Sequence, residues 1–72
     1  MFSKAESITM KLSGVQDLAT QRAAAQVLKR VDGVRSVSVN RHNAVAAVSF
    51  YPEKTTVSTM TKALEEAGFS VI

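Results

Sequence analysis

An α+β sandwich with the element order βαββαβ is the fold this sequence predicts. Three observations point to it. Short runs alternate apolar and polar residues with period two. Two longer stretches carry an apolar stripe at i, i+3, i+4 and i+7. Glycine, proline or asparagine stands at the junctions.

The first strand is Ser7-Ile8-Thr9-Met10-Lys11-Leu12, with Ile8, Met10 and Leu12 on one face, and Gly14 breaks it. Asp17 precedes a helix over about Leu18 to Val31 and is an N-cap candidate, because its carboxylate can accept the free amides of the first turn. Ala24, Val27, Leu28 and Val31 form the apolar stripe of that helix. Gln21, Arg22, Gln26, Lys29 and Arg30 take the wet side, and Gly33 is expected to stop it. Val34 to Val39 reads as a second strand with Val37 and Val39 inward. The turn Asn40-Arg41-His42-Asn43 leads into a third strand, Ala44 to Tyr51, which Pro52 ends. A second helix over about Thr56 to Ala67 has Val57, Met60, Ala63, Leu64 and Ala67 as its stripe. Gly68 stops it, and Phe69 to Ile72 is a short last strand. Right-handed crossovers then place both helices on one face of a four-stranded antiparallel sheet, a ferredoxin-like sandwich.

The 72 residues suit one domain with a modest core, and 46% hydrophobic residues let apolar packing carry its stability. There is no cysteine, which excludes disulfides, thiolate zinc, iron–sulfur clusters and a Cys nucleophile together. No run approaches the roughly 18 apolar residues of a membrane span. The segment Met1 to Ser7 has no apolar stretch of signal-peptide length, so a soluble cytoplasmic protein is expected. Nine Lys/Arg against six Asp/Glu give a net charge of +3, scattered along the chain and slightly favourable to acidic partners.

The segment Gly14-Val15-Gln16-Asp17-Leu18-Ala19-Thr20, the Gly33-Val34 pair, Val48-Ser49-Phe50-Tyr51-Pro52 and Ala63-Leu64-Glu65-Glu66-Ala67-Gly68-Phe69 resemble the heavy-metal-associated domains. That family comprises copper chaperones, mercury-binding proteins and N-terminal domains of heavy-metal ATPases. Its loop reads G-M-x-C-x-x-C, and the cysteine positions fall here on Asp17 and Thr20. The resemblance covers about Ile8 to Val71. It implies the same fold, soft-metal binding (copper, zinc or mercury) and handover to a partner. It also places Val15 where the family has an inward methionine, and Phe69 where many bacterial members have an aromatic beneath the loop.

The residues present do not supply that chemistry. Soft ions prefer charged sulfur donors, whereas Asp17 offers a hard oxygen and Thr20 a neutral hydroxyl. Asp17 reads as a cap, with Thr20 in the first helical turn. His42, the only histidine, lies in a turn at the same end of the fold. It is either a solvated turn residue or, with Asp17, a ligand for a borderline ion. Met10 and Met60 fall on apolar stripes, and Met1 reads as a free terminus rather than a thioether ligand.

Other function classes find little support. No His or Lys is placed to activate a serine, Glu65 and Glu66 point apart on their helix, and no glycine-rich phosphate loop exists, so no enzyme is expected. RNA-recognition modules share this element order but stack bases on sheet aromatics. The open-face positions here are Thr9, Lys11, Ser36, Ser38, Val45, Ala47 and Ser49, with no aromatic among them. Protein recognition remains, and family members dock partners through the loop end. Here that end offers Gln16, Arg22, Arg41 and Lys62, with Val15 and Phe69 as structural anchors; the open sheet face is a second surface suited to self-association. The expectation is a metal-independent docking or regulatory module without a cofactor, serving a protein partner such as a transporter or another domain of a longer chain. A metal-binding domain with atypical ligands (Asp17, Thr20, His42) and a structural or oligomerising domain are the alternatives.

Overall fold

A computed structural model describes residues 4–72; Met1, set aside above as a thioether ligand, lies outside them. The elements are β1 (Glu6–Ser13), α1 (Leu18–Lys29), β2 (Val34–Asn40), β3 (Val45–Phe50), α2 (Val57–Glu66) and β4 (Ser70–Val71). The sheet order is β2-β3-β1-β4. Both β1 and β2 pair antiparallel with β3, so they run parallel to each other and finish at the same end. That end holds loop 14–17 and the β2–β3 turn.

Period two decides which face each strand buries. Met10 and Leu12 of β1, Val39 of β2, and Ala46, Val48 and Phe50 of β3 point into the core, while Ile8 and Val37 pack at its margin. From the helix side come Ala24 and Leu28 of α1 and Met60 and Leu64 of α2, all fully buried. Val34 pairs with Phe50 but Ser36 with Ser49, so Arg35 is the extra residue of a bulge. The bulge turns Val34 toward the core despite its odd spacing from Val37.

The ends of elements depart from the expected bounds. Helix α1 closes at Arg30, whose amide donates to the Gln26 carbonyl, so Val31 lies beyond it. Gly33 therefore does not stop the helix. It closes the following turn at φ +98°, and a Cβ there would stand 2.5 Å from Cβ of Lys54. Gly68 does end α2: at φ +96° it donates to Glu65 O while Phe69 N donates to Leu64 O, the paired bonds of a Schellman motif. Two stripe assignments on α2 fail. Val57 is 41% exposed because it opens the first turn, and Ala67 is an exposed C-cap. Ala44 leaves β3 for the turn at φ 56°, and its carbonyl still accepts the Leu12 amide at 2.7 Å. Strand β4 is confined to Ser70 and Val71.

Candidate functional site

Loop 14–17 is held from below and closed from above. Val15 is buried, and the Phe69 ring comes within 3.4 Å of where a Cβ on Gly14 would stand, so both residues pack beneath the loop. Above, Asp17 takes an extended conformation as N-cap of α1, and Thr20 N donates to its Oδ1 at 2.9 Å. Thr20 returns the interaction. Its Oγ1 accepts from Gln16 N at 2.9 Å and from Asp17 N at 3.0 Å. Its one hydroxyl hydrogen can point to Asp17 Oδ1 at 2.9 Å or to the Asp17 carbonyl at 3.0 Å. Both lone pairs and the proton of the threonine are thereby used. This is a capping box with threonine in the place usually taken by Glu or Gln.

The same bonds set the acidity of Asp17. Chiefly the Thr20 amide, then the Thr20 hydroxyl, hold its carboxyl below the ordinary aspartate range, and the positive charge of Arg41 adds a smaller push the same way. A cation-binding role fits these residues poorly. The oxygens are hard and already bonded to one another, and a guanidinium stands near the carboxylate. Among the described residues, no group of three His, Asp or Glu side chains gathers at a metal-holding distance.

The β2–β3 turn lies beside the first turn of α1. Asn40 Oδ1 accepts the His42 amide at 2.9 Å, which shapes the turn. Between the two elements runs an open groove of about 450 Å³, lined by Leu18 and Gln21 on one side and residues 38–42 on the other. Arg41 and His42 thus join one surface, as the topology predicts. Gln16 gives its backbone amide to the loop and remains exposed, and Arg22 is exposed one residue past the groove wall. Lys62 is exposed along α2, which contributes nothing to the groove. Leu18 and Asn40 were not singled out by sequence reasoning. Leu18 carried a signal nonetheless: it is a large apolar residue off the stripe of its own helix, and it is 44% exposed.

The open sheet face is built in cross-strand rows, Ser36–Ser49–Ser7, Ser38–Ala47–Thr9 and Asn40–Val45–Lys11. A shallow depression of about 220 Å³ lies over the first two. At the opposite end, Asp32 and Lys54 approach to 3.8 Å as an exposed pair of little energetic weight. No helix among the described residues is long and apolar enough to cross a membrane.

Comparison with known proteins places this frame. Residues 9–70 match the heavy-metal-associated domain. A "mercuric transport protein periplasmic component" of Pseudomonas fluorescens is 30% identical over 69 residues, which are 96% of this chain and 76% of that protein. Among solved structures, "CopZ metallochaperone" superposes with a TM-score of 0.89 at 28% identity, covering 93% of this chain and 100% of the other. Oxidized MerP from Ralstonia metallidurans CH34 superposes with a TM-score of 0.90 at 28% identity, covering 94% of each. The chain belongs to the heavy-metal-associated domain family, with Asp17 and Thr20 standing where the resemblance puts its two cysteines.

Proposed function

We propose that this domain is a metal-independent protein-docking module, non-catalytic, whose contact surface is the loop end with Gln16, Arg22, Arg41 and the neighbouring helix face. The relatives are named for mercuric transport and metallochaperone activity. A soft-ion cargo of that kind calls for thiolates, and this chain has no cysteine. The observation that carries the reading is the closed Asp17–Thr20 capping box. The two side chains at the ligand positions satisfy each other and the loop amides, so hydrogen bonds within the chain suffice to order the loop. Arg41 near Asp17 argues further against a cation held between Asp17 and His42.

The decisive experiment is a titration of Cu(I) and Zn(II) under reducing conditions, followed by backbone amide shifts. The wild type should show no concerted movement of Val15, Asp17 and Thr20 at low-micromolar metal. The variant carrying Asp17→Cys and Thr20→Cys should bind Cu(I), because the loop frame is retained. Concerted saturable shifts in the wild type would overturn the reading in favour of an atypical metal carrier.

A further inference from the structure

Charge is split across the loop end of the molecule. On one flank stand Arg22 of α1 and Arg41 of the β2–β3 turn. Lys11 shares the cross-strand row of Asn40 and Val45. The single acid on that flank is Asp17, whose carboxylate already accepts the Thr20 amide and hydroxyl. On the other flank, Glu65 and Glu66 occupy the last turn of α2 against a single lysine, Lys62, one turn earlier, so that flank is acidic by one charge. A negatively charged partner is drawn to the α1/β2 flank and turned away from the α2 flank, so the division orients as well as attracts.

The cationic flank also has a shape. The groove there is walled by Leu18, a large apolar side chain left 44% exposed, and by the amides of Gln21 and Asn40. It runs along β2, which is an outer strand of the sheet and so presents backbone donors and acceptors on its free side. The bulge at Arg35 disrupts regular pairing at the start of that strand and leaves Ser36 to Asn40 in regular extended register. The groove and the regular half of the edge overlap at Ser38, Val39 and Asn40. Strand addition uses main-chain bonds for affinity and alternate side chains for specificity, and an exposed regular edge beside an apolar wall provides for both.

Resting on the docking reading above, we propose that the groove between Leu18 and Arg41 receives an extended acidic segment of a protein partner. The segment adds along Ser36 to Asn40 of β2, with carboxylates toward Arg41 and Arg22 and one apolar side chain against Leu18. Arg41 is the charged anchor and Leu18 the apolar one.

The test is a titration of the isotope-labelled full chain with a short oligoglutamate peptide carrying one central leucine. An oligolysine counterpart and inorganic phosphate serve as separate arms. Saturable amide shifts confined to Leu18, Gln21 and residues 36–42, weakening as salt rises, are expected. Arg41→Glu should lower the affinity about tenfold, and Leu18→Ala by a smaller factor. Both side chains are exposed, and an unchanged amide spectrum elsewhere verifies that each variant is folded. Shifts spread over Lys29, Arg30 and Lys54, an equal response to oligolysine, or an absence of saturable shifts would each overturn the proposal. Phosphate reproducing the same shifts would reduce the groove to a simple anion site and overturn it too. The two readings fail separately. Metal binding in the wild type sinks metal-independent docking whatever the peptide does. A silent peptide titration together with a silent metal titration removes only the acidic segment.

Discussion

Asp17 is the residue on which the loop depends, and its ionisation makes that dependence measurable. Because the Thr20 amide and hydroxyl hold its carboxyl below the ordinary range, the folded state binds the proton less readily than the unfolded chain does. The stabilisation is therefore present above the unfolded pKa and is lost as pH falls through the folded one, from about pH 4 downward. Asparagine can cap the same helix without titrating. Asp17→Asn should lower the thermal midpoint slightly at neutral pH, and the two midpoints should converge in acid. Parallel curves down to about pH 2 would show that the carboxylate is not the stabilising form. Thr55 presents the opposite case. It is 5% exposed, and its buried hydroxyl has no hydrogen-bond partner among the described residues. Thr55→Val removes an unsatisfied polar group and should raise unfolding stability by about 1 kcal/mol in urea titrations. A loss of stability would mean that an ordered water serves the hydroxyl.

The helix starts are written locally and were legible. Asp17 caps α1 as its place in the sequence predicts; Thr56, expected as the first helical residue, proves to be the cap of α2. The reciprocal bond from Thr20 was less legible, since threonine in the first turn has several local partners open to it. Junctions between elements obey longer-range constraints. Gly33 lies between α1 and β2, yet its carbonyl accepts the Tyr51 amide at 2.8 Å and its Cα faces Lys54. The turn after α1 is therefore packed against the turn after β3. Gly33→Ala meets a positive φ and a 2.5 Å approach to Lys54 together, and should cost about 1–3 kcal/mol. An unchanged urea midpoint would mean that the turn after β3 gives way freely. The bulge at Arg35 and the turn conformation of Ala44 were not legible, because each reconciles β3 with a neighbouring strand rather than expressing a local preference.

For the whole molecule, apolar packing is the principal source of stability, with no cysteine to cross-link the chain. Leu28 of α1 and Leu64 of α2 are both fully buried in the core. Leu28→Ala should cost about 2–5 kcal/mol, a large share of the roughly 5–15 kcal/mol of a typical domain. Its urea midpoint should fall accordingly, and a shift worth less than about 1 kcal/mol would show that the core collapses around the lost volume. The core residues were legible wherever a strand or helix interior set the periodicity. Val57 and Ala67 escaped that rule because each lies at a helix end, where the neighbouring element no longer covers the stripe, whereas Val31 packs against the core from just beyond α1.

The sequence alone determined the element order, the faces turned inward, the Asp17 cap and the absence of thiols at the family's ligand positions. All of these depend on residue type and on spacing within one element. Only the tertiary structure decided that Thr20 uses both its lone pairs and its proton to close the loop, and that Arg41 stands close enough to Asp17 to act on its charge. It also decided that Leu18 and Gln21 share a groove with the β2–β3 turn. The turn that carries Arg41 is far from Asp17, Leu18 and Gln21 in the chain. They meet because the order β2-β3-β1-β4 makes β1 and β2 parallel and ends them side by side, a geometry that no local pattern encodes.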